Sequence, residues 1–107
     1  MDKCLHACFH ALGDPTRLAV VERLVEGPAS VSELAVPHPI ALPAFTKHLR
    51  VLERAGLITS KKKGRVRTCH LHPPAIHAID RWVQERRAMW EARLDRLADH
   101  VEGTRKE

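Results

Sequence analysis

Glycine and proline divide the first half of this chain into four short segments. The breaks fall at Gly13-Asp14-Pro15, at Gly27-Pro28, at Pro37-His38-Pro39 and at Gly56. Proline removes a backbone donor and disfavours helical geometry in the residue before it, whereas glycine readily closes a helix end. Each segment is therefore limited to a short element, and these elements must pack against one another to bury apolar side chains.

The first two segments have the apolar spacing of amphipathic helices. In the first predicted helix, Lys3 to Leu12, the apolar face consists of Leu5, Cys8, Phe9 and Leu12. A second helix is predicted from Pro15 to about Glu26, because Asp14 is a favourable N-cap and proline suits the first helical position. The side chains predicted to face inward on this helix are Leu18, Val21, Leu24 and Val25.

The next two segments predict a helix-turn-helix. Ser30 and Glu33 have the spacing of a capping box, which starts a short third helix that ends by Val36. A fourth helix is predicted from about Leu42 to Gly56, and its buried stripe is Phe45, Leu49 and Leu52. Two short helices separated by a tight break, the second longer and basic, are typical of this motif.

After Gly56 the pattern becomes alternating, which predicts a β-hairpin wing. Leu57–Ser60 and Arg65–Leu71 flank a basic turn in which Gly64 can adopt a positive φ. A last helix is predicted from about Pro74 to Val101, with 103–107 as a frayed tail. The whole chain, 1–107, is thus predicted to be a single mainly α domain, a winged helix-turn-helix of order α1-α2-α3-α4-β-β-α5.

Composition excludes several classes of protein. A chain of 107 residues has the size of one domain. No apolar run approaches the roughly 20 residues that cross a bilayer, and residues 1–4 lack a signal-peptide pattern, so no membrane partner and a cytoplasmic location are expected. Three cysteines without a Cys-x-x-Cys pair do not suggest a disulfide framework. No catalytic constellation stands out, so neither an enzyme nor a cofactor is expected.

Positive charge is concentrated in one quarter of the chain. Between Leu42 and His70 there are eight lysines and arginines but a single acidic residue, Glu53, so this segment carries +7 within a chain of net charge +5. A cationic patch of this density attracts a polyanion. On a solvated face it would only aid solubility, but here it lies on the predicted helix-turn-helix and wing.

A helix that enters the major groove buries one stripe and presents short polar and basic side chains on the other. Thr46 and Lys47 are expected to read base edges, whereas Arg50 and Arg54 are expected to hold phosphates. The residues predicted to contact double-stranded DNA from the fourth helix are Pro43, Ala44, Thr46, Lys47, His48, Arg50 and Arg54. The wing is predicted to contact phosphates or the minor groove through Lys61, Lys62, Lys63, Arg65 and Arg67.

Three segments resemble the ArsR/SmtB family of winged helix-turn-helix transcriptional regulators. They are Ala11–Leu18, Val31–Ala35 and, most specifically, Leu42–Ile58, and the resemblance covers essentially the whole chain. It implies a homodimeric repressor that packs its first and last helices across a two-fold axis, binds an imperfect palindromic operator and dissociates when a small effector, here unknown, binds. The dimer contacts expected on this basis are Leu5, Phe9, Trp90, Leu94, Leu97 and Val101.

Two alternatives stay open at this point. Metal-sensing relatives carry Cys-x-Cys on the third helix, where this chain has Ala35-Val36-Pro37, and His77 has no matching ligand pair downstream on the last helix. No bound metal is therefore expected, but Cys4 and Cys8 lie one helical turn apart and leave open an effector-gated metal or thiol sensor. Cys69 is a further thiol, expected to be buried. The second alternative is a protein-interaction module whose basic patch serves an acidic partner.

Overall fold

A computed structural model confirms the predicted order of five helices and a wing. It describes the backbone of residues 2–106 and the side chains of residues 5–101. The elements are α1 (Asp2–Leu12), α2 (Pro15–Val25), β1 (Ala29–Ser30), α3 (Val31–Ala35), α4 (Leu42–Arg54), β2 (Ile58–Lys63), β3 (Val66–Leu71) and α5 (Pro73–Lys106). These residues form two units, the first ending at His77 and the second beginning at Ala78, and each is described by itself.

The predicted capping residues set the helix ends. At the start of α2, the backbone N–H of Arg17 donates to Asp14 Oδ2 at 3.1 Å. At the start of α3 the capping box is complete, because Glu33 N–H donates to Ser30 Oγ at 3.1 Å and Ser30 N–H donates to Glu33 Oε1 at 3.2 Å. Gly56 follows α4 with a φ of 80°, the left-handed conformation in which glycine avoids a steric penalty.

The wing belongs to a three-stranded antiparallel sheet of order β1-β3-β2. The hairpin pairs Lys63 with Val66 next to its turn, where Gly64 has a φ of 64°. Strand β1 pairs Ala29 with Cys69 and Ser30 with Thr68. The prediction of a two-stranded hairpin alone was therefore incomplete, since a strand of two residues has no periodicity of its own and forms only through a partner about forty positions away.

The core of the first unit is built from α2, α4 and the base of the sheet. Its largest fully buried side chains are Phe45, Leu52, Leu57, Ile58, Val20 and Cys69. In α2 the buried residues are Val20, Val21 and Leu24, whereas Leu18 is 42% and Val25 70% exposed. The prediction that Leu18 and Val25 face inward was wrong, because the buried stripe of α2 is centred on Val20 and leaves both on its flank.

The second unit consists of α5 from Ala78 onward. The helix continues through Lys106, past the predicted end at about Val101, and the frayed tail at 103–107 stays a prediction. Gly103 costs only about 1 kcal/mol in a helix and no proline follows it, which leaves nothing to stop the helix there. Trp82 packs edge-on against Trp90 with ring centroids 6.0 Å apart, and the Arg86 guanidinium lies 4.5 Å above the Trp82 ring. Within residues 2–106, no helix combines the length and apolar character of a membrane span.

Candidate nucleic-acid interface

The buried stripe of α4 determines which of its side chains face outward. Phe45, Leu49 and Leu52 are buried, as predicted, and they fix the rotation of the helix in the first unit. The opposite arc therefore presents its cationic residues to solvent, and the exposed ones are Lys47, Arg50 and Arg54. Thr46 is half-buried at the edge of this arc, on the side of the wing.

A groove of about 690 Å³ lies between α4, the start of α3 and the wing. Its walls are Ser30, Val31, Ser32, Thr46, Leu49, Arg50, Glu53, Arg65, Val66 and Arg67. Thr46 and Arg50 of α4 thus share one groove with Arg65 and Arg67 of the wing. The helix and the hairpin are therefore adjacent, and three of their predicted DNA-contacting cations, Arg50, Arg65 and Arg67, line the same groove.

A second, shallower groove of about 300 Å³ runs along the N-terminal half of α4. It is lined by Leu42, Pro43, Thr46, Lys47 and Arg50. Thr46 and Arg50 line both grooves, so the two form a continuous surface around the outward arc of α4. Among the predicted α4 contacts, Ala44 and Arg54 are exposed but line neither groove.

Three side chains connect the wing to α4. Arg67 Nη1 donates to Ser60 Oγ at 2.9 Å, and Ser60 Oγ donates to Glu53 Oε1 at 3.0 Å. Because one hydroxyl both accepts and donates, Ser60 bridges the carboxylate of Glu53 and the guanidinium of Arg67. Sequence reasoning missed this arrangement, since it depends on the pairing of β2 with β3 and on the packing of α4 beside β2.

The lysines of the wing are divided between the two faces of the hairpin. Cross-strand partners share a face and successive residues alternate, so Lys62, which pairs with Arg67, lies on the face of Ser60. Lys61 and Lys63 lie on the opposite face, where they pair with Thr68 and Val66. The basic run therefore does not form one continuous row of charge directed at α4.

His48 is the predicted contact that the structure directs elsewhere. Its Nδ1 lies 3.1 Å from Nη1 of Arg17 and 3.7 Å from Oδ2 of Asp14, and its side chain is half-buried against the start of α2. Arg17 also donates from Nε to the Ala11 carbonyl at 2.7 Å. His48 thus connects α4 with α1 and α2 and lines neither groove, a role for which its position beside the outward arc gave no signal.

The carboxylate of Asp14 is stabilised in its charged form. The hydrogen bond from the backbone N–H of Arg17 is the main cause that lowers the pKa of Asp14. Desolvation opposes it, and electrostatic attraction to His48 and then to Arg17 lowers the pKa further, so that the net shift is downward. Hydrogen bonds from Ser30, first from its backbone and then from its side chain, lower the pKa of Glu33 in the same way. Both acidic groups therefore serve helix starts in the first unit.

The thiols are placed for packing. Cys8 is buried in α1 and its Sγ donates to the Ala55 carbonyl at 3.3 Å. Burial raises the pKa of the Cys69 thiol, and the nearby Glu53 raises it further. The side chain of Cys4 lies outside the described residues. Within the part of the chain that is described, no group of three His, Cys, Asp or Glu side chains is arranged to hold a metal ion.

Comparison with known proteins points in one direction. Residues 12–61 match a helix-turn-helix domain family. The chain is 42% identical over 71 residues to the HTH-type transcriptional regulator Rv2034 of Mycobacterium tuberculosis, covering 66% of each chain. It is 36% identical to the HTH-type transcriptional regulator YuzN of Bacillus subtilis, covering 73% of this chain and 94% of the relative. It is also similar to the crystal structure of an ArsR family transcriptional regulator, with a TM-score of 0.79, 47% identity and coverage of 85% of this chain and 94% of the other.

Proposed function

The chain belongs to the ArsR family of transcriptional regulators, and we propose that it acts as a homodimeric repressor on an imperfect palindromic operator. The family is one of regulators with a winged helix-turn-helix DNA-binding fold and not of enzymes. This chain binds double-stranded DNA and acts in the cytoplasm. The effector-gated sensor receives no support from the described thiols, since Cys8 is buried against the Ala55 carbonyl.

The observation that carries this proposal is the shared groove between α4 and the wing. A duplex presents a continuous line of phosphates on either side of its major groove, so cations on two adjoining elements can contact the backbone beside the groove that a helix enters. Arg50 supplies one from α4, and Arg65 and Arg67 supply two from the wing, around the same groove. In this arrangement α4 lies in the major groove with Thr46 and Lys47 at the base edges, while the wing contacts the flanking backbone.

The exposed apolar side chains of the first and last helices support a two-fold dimer. In the second unit, Leu94 is 62% and Leu97 60% exposed, and Trp90 and Val101 are also exposed. In the first unit, Phe9 is exposed on α1 and Leu5 is half-buried. Exposed large apolar side chains in series along one helix are typical of a protein interface. A two-fold axis would place two copies of α4 on half-sites about 10 base pairs, or a multiple of that, apart.

The test is binding of the full chain to duplexes selected from a random pool, followed by fluorescence anisotropy at increasing salt. We expect specific binding in the nanomolar range or tighter and a loss of roughly a thousandfold between about 50 and 200 mM salt. Lys47→Ala should weaken binding about fivefold to tenfold and relax the base preference, and Arg65→Ala should weaken binding about fivefold to tenfold and lower the salt slope by about one. Arg93→Ala removes the same charge from an exposed position on α5 and is the matched control.

Two results would contradict the proposal. No preference of the wild type for selected over random duplex would exclude an operator-specific regulator. Unchanged duplex binding by Lys47→Ala and Arg65→Ala would instead favour a protein-interaction module. Sedimentation velocity on the same samples tests the dimer, because Leu94→Glu should give a monomer that loses operator affinity.

A further inference from the structure

The first turn of α4 presents apolar side chains to solvent. Leu42 is 58% exposed, and Pro43 and Ala44 beside it are exposed as well. Their exposure is not a requirement of the fold, because Phe45, Leu49 and Leu52 already provide the buried stripe of the helix. Leu42, Pro43 and Thr46 instead line the shallow groove along the outward arc.

The same groove contains two cations, which restricts what can occupy it. Lys47 and Arg50 line it together with Leu42 and Pro43. A purely apolar partner would leave these charges desolvated and unpaired, at a high cost. The edge of a base pair in the major groove offers both chemistries at once, since thymine presents a 5-methyl group and guanine presents the acceptors O6 and N7.

The amino-acid composition of α4 indicates which base of an A·T pair this helix contacts. Adenine is read from the major groove mainly by the paired donor and acceptor of an Asn or Gln amide. The helix sequence from Leu42 to Arg54 contains neither residue. An A·T pair facing this helix is therefore recognised from its thymine side, by contact with the methyl group.

We infer that Leu42, Pro43 and the methyl group of Thr46 form a subsite for thymine 5-methyl groups in the operator half-site, beside a guanine contacted by Lys47. This inference rests on the proposed function and specifies the DNA chemistry of the same surface. A helix rises about 1.5 Å per residue, so Leu42 and Lys47 are about 7.5 Å apart along its axis, close to two base-pair steps. Each half-site thus contains thymine within about two base pairs of a guanine.

The decisive experiment removes single methyl groups from the DNA. A duplex selected by the full chain is resynthesised with deoxyuridine in place of each half-site thymidine in turn, which deletes the methyl and preserves the pairing. Burial of one methyl predicts about a fourfold loss of affinity at the contacted thymidines. Leu42→Ala should bring the ratio of thymidine to deoxyuridine affinities towards one. Val25→Ala, at a position 70% exposed on α2 and outside both grooves, should retain the fourfold ratio.

Thr46→Ser provides a second variant, because it removes one methyl group and keeps the hydroxyl, and it applies if Leu42→Ala fails to fold. Equal affinity for thymidine and deoxyuridine at every half-site position, with specific binding intact, overturns the inference and leaves the proposed function standing. A fourfold ratio that neither Leu42→Ala nor Thr46→Ser reduces overturns the assignment to these residues. Absence of any preferred duplex overturns the proposed function and this inference together.

Discussion

Helix α4 is held on both flanks by polar side chains, but the two flanks use different partners. On the side of α2, Arg17 donates to the backbone carbonyl of Ala11 and contacts His48, and these groups are partly buried. On the side of the wing, Glu53, Ser60 and Arg67 are joined by two hydrogen bonds, both of them exposed. On one flank, the residue that His48 of α4 contacts is itself bonded to a main-chain carbonyl, whereas on the other flank α4 contacts side chains that are exposed to water.

This difference separates stability from recognition. The carbonyl of Ala11 lies at the end of α1 and has no partner within the helix, so removal of Arg17 would leave it unsatisfied in a partly buried site. Water can replace the exposed bonds of the wing flank at little cost. The α2 flank is therefore expected to contribute more to the free energy of unfolding. The wing flank is expected to position a DNA-binding cation, Arg67.

The largest effect should come from breaking the α2 flank. Arg17→Ala is expected to lower the free energy of unfolding by about 2 kcal/mol, because hydrogen bonds from a charged donor to partly buried acceptors are lost. Urea denaturation measures this change. Arg93→Ala, an exposed arginine of α5, should shift stability by less than about 0.5 kcal/mol and serves as control. Equal changes in the free energy of unfolding for both variants would show that the contacts of Arg17 do not stabilise the fold.

A smaller effect is expected on the wing flank, and it should appear in DNA binding. Ser60→Ala keeps every charge but releases Arg67, so operator affinity should fall about threefold while the salt slope stays constant. Arg67→Ala should lower the affinity further and reduce the slope by about one. Both variants should retain wild-type stability to within about 0.5 kcal/mol. Wild-type affinity of Ser60→Ala would mean that the hydroxyl does not position Arg67.

The smallest effect concerns pH and again distinguishes the flanks. The pKa of Asp14 lies below its ordinary value of 3.8 in the folded chain, so its contribution to stability is present above that pH and is lost as the pH falls through the folded-state pKa. Asp14→Asn should therefore show a smaller fall of Tm between about pH 6 and pH 3 than the wild type. Glu33 contributes in the same direction to both proteins. Parallel Tm curves would contradict the assignment.

The parts of the fold that were predictable from sequence are those fixed by neighbouring residues. Asp14, Ser30 with Glu33, and Gly56 mark helix ends through bonds or dihedral angles that span only a few positions. The spacing of Phe45, Leu49 and Leu52 fixed the rotation of α4, and with it the outward cations that line the groove. Local patterns thus identified six of the residues that line the two grooves, namely Pro43, Thr46, Lys47, Arg50, Arg65 and Arg67.

What the sequence did not reveal depends on contacts between distant positions. Strand β1 exists only because β3 pairs with it, and His48 leaves the DNA-facing arc only because Arg17 and Asp14 lie beside it. Leu18 and Val25 satisfy the apolar spacing of α2 but lie on its flank. In the same way, Ser60 becomes a link between Glu53 and Arg67 through strand pairing that no local pattern encodes.

Ser30 has two structural roles, and together they connect the wing with α3. It is the last residue of β1, paired with Thr68 of the wing, and it is also the N-cap of α3. A pull on the hairpin is consequently delivered to the first turn of α3 without any intervening flexible segment. The hairpin and α3 are thus directly coupled through Ser30. The hairpin can move away from α3 only if the backbone pairs between β1 and β3 break first.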